Sequence, residues 1–244
     1  MIEAVTFDWW GTIAIVPGRD ADGTMRELRV SRVEELLRGQ GVECDRAVLY
    51  RAYDQQGELL DEAWANQREL TPSEQIQAFL QFAGFAGTAP EISDAVADAF
   101  GGAILARPPS LFPHIREVLR LLKGQGFAIG LISNTGRSWG RHLTRLQGAL
   151  GIQDFFDVRV YSDELRMRKP DAKMFEAALR EFGCRPEEAV HIGDDVTADI
   201  AAAKAVGMHA VWFNTGFWPG AATDRADGEI RDHADLPQIL EALR

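Results

Sequence analysis

Apolar and polar positions along this chain follow two different rhythms. Residues 2–8 (Ile-Glu-Ala-Val-Thr-Phe-Asp) form a short β-branched and aromatic run that closes on an acid, which predicts a buried strand. Gly11-Thr12 and the polar stretch from Pro17 to Gly23 then mark a loop. From about 24 to 105 the apolar residues recur at helical spacing: Leu28, Val33, Leu36 and Leu37, then Leu49, Tyr53, Leu59, Leu60 and Trp64. A third helix runs through Ile76, Phe79, Leu80 and Phe82, and a fourth spans Ile92 to Leu105. Thr71-Pro72-Ser73-Glu74 opens the third with an N-cap residue and a proline at the first helical position.

After Arg107-Pro108-Pro109 the rhythm alternates. Helix 113–123 leads to strand 127–132, and helix 138–149 to a short strand near Val158–Val160. Helix 171–182 leads to strand 189–192, and helix 197–206 to strand 210–213. Strands alternating with helices of this length imply right-handed crossovers and a doubly wound parallel sheet, an α/β fold. The predicted division is a sheet-bearing core of residues 1–15 and 109–244, with residues 16–108 as a helical insertion after the first strand.

Composition narrows the function classes. The 244 residues are 46% apolar and 26% charged, as in an ordinary globular protein. A net charge of −11 argues against a nucleic-acid partner, whose phosphates such a surface repels. No apolar run approaches the ~20 residues that span a bilayer, and the start lacks a basic, signal-like region. Cys44 and Cys184 are far apart and have no metal-ligand spacing, so they read as two reduced thiols of a cytoplasmic protein. The five histidines show no HxH or HxxxH spacing, so no zinc site is expected, and His191, inside a strand, reads as packed or hydrogen-bonded. Nothing in the sequence sets an oligomeric state.

The candidate chemistry lies where strands end, because open parallel sheets bind ligands beyond the carboxyl ends of their strands. Three predicted strands end in polar clusters: Asp8, Ser133-Asn134-Thr135 and Gly193-Asp194-Asp195, with Asp199 close behind. A buried lone carboxylate is costly, and several crowded together repel unless a cation sits among them. A hard divalent ion with oxygen ligands resolves this, and Mg²⁺ is the usual one beside phosphate. Asp195 also suits a helix N-cap. Ser133 and Asn134 offer donors to an anion, and Lys169, in a loop ahead of a helix and followed by Pro170, offers a cation.

Four motifs thus occur in order: Asp8-x-x-Gly11-Thr12, Ser133-Asn134, Lys169-Pro170 and Gly193-Asp194-Asp195-x-x-x-Asp199. In order and spacing they resemble the haloacid dehalogenase superfamily, Rossmann-like hydrolases that carry an inserted cap. The resemblance implies that Asp8 is a nucleophile forming an aspartyl phosphate from a small phosphorylated metabolite. It implies that Ser133, Asn134 and Lys169 bind the phosphoryl group and that Thr12 assists in catalysis. Mg²⁺ would be held by Asp8, Asp194 and the backbone carbonyl of Trp10, with Asp195 and Asp199 in support.

Trp10 is a departure. The phosphatase branch of the superfamily usually has a second aspartate here, which protonates the leaving oxygen and then activates water. Indole has one N–H donor and accepts nothing, so the metal-binding carbonyl survives while the proton shuttle does not. Haloacid dehalogenases carry an aromatic residue at this position and attack carbon. They typically work without metal and begin the fourth motif with Ser and Asn, whereas this chain has Asp194 and Asp195. Metal-dependent phosphoryl chemistry therefore ranks above dehalogenation, with a binding or regulatory protein as the third reading. A C–P-cleaving branch needs a cap lysine, and no lysine lies between residues 14 and 122.

Gly136-Arg137-Ser138-Trp139-Gly140 matches a G-x-S-x-G serine-nucleophile turn, with His209 or His233 as its base. It follows the wrong kind of strand end, which Ser133-Asn134-Thr135 already occupies, and it is set aside. Arg26, Arg29 and Arg51 of the insertion can grip an anionic substrate but read as solvated helix faces. Asp20 and Asp22 are candidate substitutes for the missing acid.

Overall fold

A computed structural model describes residues 1–15 and 19–243, giving only the backbone of residues 19–22. Strand β1 (Ala4–Phe7) is followed by helices α1 (Arg19–Gly39), α2 (Arg46–Ala65), α3 (Pro72–Phe82), α4 (Pro90–Gly101) and the single turn α5 (Ala103–Ala106). The alternating part comprises α6 (Ile115–Gly124), β2 (Ala128–Ser133), α7 (Gly140–Ala149), β3 (Val158–Tyr161), α8 (Ser162–Leu165) and α9 (Ala172–Phe182). It continues through β4 (Ala189–Gly193), a wide π turn (Val196–Ala201), α10 (Ala202–Ala205), β5 (His209–Phe213), β6 (Gly228–Ile230) and α11 (Leu236–Ala242).

The strands form one parallel six-stranded sheet in the order β3-β2-β1-β4-β5-β6. Alternate residues of β1 face opposite layers, as the period of two requires. Val5 and Phe7 join the apolar cluster that includes Ile115, Leu119 and Leu122 of α6, Leu143 of α7 and Leu236 of α11. Ala4 joins the opposite cluster, with Met174 and Phe175 of α9 and Ala203 of α10. Strand order reverses between β1 and β4, the crevice where doubly wound folds place ligands. Asp8 and Asp194 stand immediately beyond those two strands.

The inserted helices α1–α4 bury their own cluster, among them Val30, Val33, Leu49, Ile76, Phe79, Val96 and Phe100. The Thr71 box forms as the sequence predicts: Glu74 N donates to Thr71 Oγ1 (3.2 Å) and Thr71 N donates to Glu74 Oε2 (2.8 Å). The insertion is pinned to the sheet at two places. Trp139, between β2 and α7, stacks on Phe100 (15° between rings). The buried Glu69 carboxylate accepts from Trp64 Nε1 (3.0 Å), Ser162 Oγ (2.8 Å) and Arg168 Nη1 (3.2 Å).

Three sequence expectations change. The polar stretch 17–23 is helical from Arg19, while Pro17 and Gly18 lie outside the described residues. The side chains of Asp20 and Asp22 lie outside them too. The expected helix 197–206 begins as a π turn, because Asp199 N (2.9 Å) and Ile200 N (3.2 Å) both donate to Asp195 O. Strand β6 and helix α11 carried too few residues for a periodic signal.

Candidate active site

Lys169 is the centre of the site. The loop before α9 carries its ammonium into the crevice, where Nζ donates to Asp8 Oδ1 (2.6 Å), Asp199 Oδ1 (2.6 Å) and the Ile132 carbonyl (2.8 Å). All three charged groups are buried. The lysine loop is itself held by Asn134, whose Oδ1 accepts from Lys169 N (2.8 Å) and whose Nδ2 donates to Lys169 O (3.1 Å). Asn134, expected to touch phosphate, has its amide engaged with this backbone. Behind Asp199, the buried ring of His191 is kept neutral, its pKa lowered by desolvation. It then donates from Nε2 to Asp199 Oδ1 (3.1 Å) and accepts the Thr6 hydroxyl at Nδ1 (2.9 Å).

Asp194 completes the acidic set. Oxygens of Asp8, Asp194 and Asp199 lie within 4.8 Å of one another. Gly11 and Gly193 make that crowding possible: a Cβ on Gly11 (φ +81°) falls 2.4 Å from Asp194 Oδ2, and one on Gly193 falls 2.2 Å from Asp199 Cγ. Two indoles missed in the sequence steady Asp194. Trp218 Nε1 donates to Oδ2 (2.8 Å) and Trp212 Nε1 to the backbone carbonyl (3.0 Å). Thr12 Oγ1 reaches Oδ1 at 3.4 Å. Asp195 is not part of the set, because its Oδ1 caps the π turn by accepting from Thr197 N (2.7 Å) and Ala198 N (2.9 Å).

The charges do not balance. Three carboxylates around one ammonium leave an excess of two negative charges. Burial pushes the Asp8 carboxyl up to about 8 despite Lys169, with Asp199 and Asp194 adding to the rise. Burial, with Asp199 beside it, raises Asp194 to about 6. Burial also works against ionised Asp199, yet Lys169 and His191 hold it below the usual carboxylate range. Asp199 and Lys169 thus form a settled pair, and Asp8 and Asp194 carry the excess. A divalent cation with oxygen ligands fits that donor set in charge and in chemistry.

Ser133 is buried at the end of β2 and donates weakly to the Asn134 carbonyl (3.4 Å). Trp10 is half-buried and meets the fully buried Trp9 edge to face, 6.2 Å between centroids. Its indole lines a cavity of about 710 Å³ between the inserted helices and the sheet, together with Thr135, Tyr53, Trp64 and several arginines. Of these lining residues, Trp10 and Thr135 lie two positions along the chain from Asp8 and Ser133. The serine-elbow motif has no triad: Ser138 Oγ accepts from Arg29 Nη2 (2.9 Å), and His233 Nε2 donates to Thr12 O (2.8 Å).

With the site in view, comparison with known proteins decides the family. A profile of the haloacid dehalogenase-like hydrolases matches residues 2–207. The chain belongs to that family. A glyceraldehyde 3-phosphate phosphatase of Pyrococcus furiosus is 37% identical over 138 residues, 54% of this chain and 53% of that protein. A phosphoserine phosphatase of Thermus thermophilus is 33% identical over 150 residues, 60% of this chain and 58% of that protein. This chain spans only about half the length of the curated relatives it matches. A 2-haloacid dehalogenase from Pseudomonas syringae superposes over 100% of both chains with a TM-score of 0.74 at 24% identity, a likeness of fold.

Proposed function

We propose that this haloacid dehalogenase-like hydrolase is a Mg²⁺-dependent phosphatase of small phosphorylated metabolites, working through an aspartyl phosphate on Asp8. The observation that carries the reading is the uncompensated acid pair, Asp8 and Asp194, around a lysine already held by Asp199. Such a site repels an anionic substrate until a divalent cation joins it. Phosphatase names among the similar proteins, acting on glyceraldehyde 3-phosphate and phosphoserine, agree with it.

Asp8, Asp194 and the Trp10 carbonyl would hold the ion, with Asp199 fixing Lys169. Mg²⁺, when bound, keeps Asp8 ionised and offsets charge on the phosphoryl oxygens. Lys169 fixes one oxygen of Asp8, so the carboxylate faces phosphorus in one orientation. Asp8 attacks phosphorus as the ester P–O bond breaks, and water then releases phosphate from the acyl phosphate. Lys169 and Ser133 neutralise charge on the transferred group. The inserted helices 16–108 act as a cap on the core 1–15 and 109–244, excluding bulk water and selecting substrate. Two separated thiols suit a cytoplasmic setting.

Trp10 gives the leaving oxygen no proton, so rates depend steeply on leaving-group acidity. A series from p-nitrophenyl and acetyl phosphate to alkyl phosphates, run with and without Mg²⁺, tests this; no turnover of any of them overturns the reading. The same indole favours a second reading, hydrolysis at carbon, which needs no proton shuttle. Metal-independent halide release from 2-haloacids would select it.

A further inference from the structure

The cavity lined by Trp10 has the opposite electrical imbalance. Arg29 of α1, expected on a solvated face, is 6% exposed and points into this cavity. Its Nη2 donates to Ser138 Oγ (2.9 Å) and its Nη1 to Tyr53 OH (3.3 Å), while its buried Nε has no acceptor. Arg137, from the discarded serine motif, lies over the Tyr53 ring at 3.9 Å. It donates Nε to Gln56 Oε1 (2.7 Å) and Nη2 to the Tyr53 carbonyl (3.0 Å), and Nη1 takes no protein acceptor. Every one of these acceptors is neutral. Among the described residues neither guanidinium forms an ion pair, whereas Arg26 at the same cavity is paired with Asp54 (2.5 Å).

Two arginines that share one tyrosine also repel each other. Burial holds Arg137 below its ordinary value and the charge of Arg29 adds to the effect, while Tyr53 and the more distant Asp61 carboxylate oppose it only in part. Native structures rarely leave buried charges without counter-charge, because desolvating an ion costs several kcal/mol. A surface patch of this composition would be unremarkable. In a cavity that Trp10 and Thr135 also line, the same composition suits an anion.

We infer that Arg29 and Arg137 bind a second anionic group of the substrate, so that the molecule hydrolysed is a short phosphomonoester carrying a carboxylate or a second phosphate. The inference rests on the phosphatase reading for its reacting end and on the cavity alone for its distal end. Planar guanidiniums suit either oxyanion, and among the described residues Arg29 Nε and Arg137 Nη1 have no acceptor of their own. Ser138 and Tyr53 fix the direction of Arg29, and Gln56 and the Tyr53 ring fix that of Arg137. Both donors are therefore positioned before the substrate arrives, which lowers the ordering cost of binding.

The test uses the full chain with Mg²⁺ and matched substrate pairs. Phosphoglycolate against ethyl phosphate reads the carboxylate arm, and propane-1,3-diyl bisphosphate against propyl phosphate reads the phosphate arm. In the wild-type protein at least one anionic member should exceed its neutral twin about 10- to 100-fold in kcat/KM, the size of one charged hydrogen-bonded contact. Arg29→Met and Arg137→Met should each remove most of that advantage, chiefly through KM, and Arg→Lys should restore part of it. Turnover of p-nitrophenyl phosphate without preference for either anionic member overturns the inference and leaves the phosphatase reading intact. Because the wild-type comparison needs no variant, a misfolded Arg29→Met protein does not remove the test. Binding of phosphonoacetate against ethylphosphonate, read by the fluorescence of Trp10 and Trp64 in the cavity wall, is independent of turnover. Tighter phosphonoacetate binding without any hydrolysis supports the anion site and overturns the phosphatase reading; equal binding overturns the anion site.

Discussion

Lys169 and Arg29 are both buried cations at the interface of sheet and inserted helices, yet they stand in opposite surroundings. Lys169 is enclosed by acids, touching Asp8 and Asp199 at 2.6 Å each, with Asp194 beside them. Arg29 touches only a serine and a tyrosine hydroxyl, and Arg137 adds to its charge. One region lacks positive charge and the other lacks negative charge, and Trp10, two residues along the chain from Asp8, lines the second. A molecule with a phosphoryl group at one end and a second anion at the other corrects both once a divalent cation is present. The difference teaches that burial of an ion says little until its neighbours are counted: Lys169 belongs to a network that is structural and chemical together, Arg29 to one that awaits a ligand.

The comparison can be broken in four ways. Asp8→Asn keeps the shape of the acidic region and removes the proposed nucleophile; turnover of p-nitrophenyl phosphate should fall roughly 10⁴-fold or more in steady-state assays. Lys169→Met leaves buried carboxylates unpaired and should cost about 3–5 kcal/mol in denaturant unfolding. Arg29→Met removes no ion pair, so an equal loss would show that the two cations are not opposites. Trp10→Asp supplies the missing acid at the junction, and kcat on alkyl phosphates should rise about 10²-fold or more, with a smaller gain on p-nitrophenyl phosphate.

The smallest effect is on pH-dependent stability, and it involves one buried histidine near each region. His233 holds the Thr12 carbonyl below the acidic site, and His142 packs against Trp139 below the arginine cavity. Burial lowers both from 6.5 to about 4. Each ring is neutral in the fold and takes up its proton more readily when unfolded. The stability each ring contributes is therefore full above pH 6.5 and is lost as pH drops toward 4, by about 2–3 kcal/mol per ring, while the raised Asp8 and Asp194 carboxyls contribute in the opposite direction over the same range. Chemical unfolding of the wild type and His142→Gln at pH 7.5 and 4.5 isolates one ring's share as the difference between the two proteins, since the carboxyls are common to both.

Much of the acidic region was legible in the sequence because strand ends announce themselves. An apolar run that stops on Asp8, Ser133 or Gly193-Asp194 predicts both a strand and the side of the sheet on which the acid stands. Lys169 was legible as a cation in a loop, and its position between two carboxylates was not. Asp195 and Asp199 look alike in the sequence. The π turn separates them, sending Asp195 to cap backbone amides and Asp199 to Lys169 and His191. The roles of Trp212 and Trp218 were not legible, since nothing local says that an indole N–H will meet an aspartate 18 or 24 residues away. Arg29 was misjudged for a related reason: helical periodicity gave its face an outward direction, and the sheet domain covers that face.

The sequence by itself determined the sheet, the helical insertion, the three polar strand ends, the Lys169 loop motif and the missing acid at position 10. Each of these is written in local periodicity, residue chemistry or spacing, so no distant contact is needed to read it. Only the tertiary structure decided which acids share one cation, which arginines form no ion pair with the described acids, and that Trp10, two residues from Asp8, lines the arginine cavity. Charge balance is a property of neighbours in space, and the residues that settle it here lie more than a hundred positions apart along the chain.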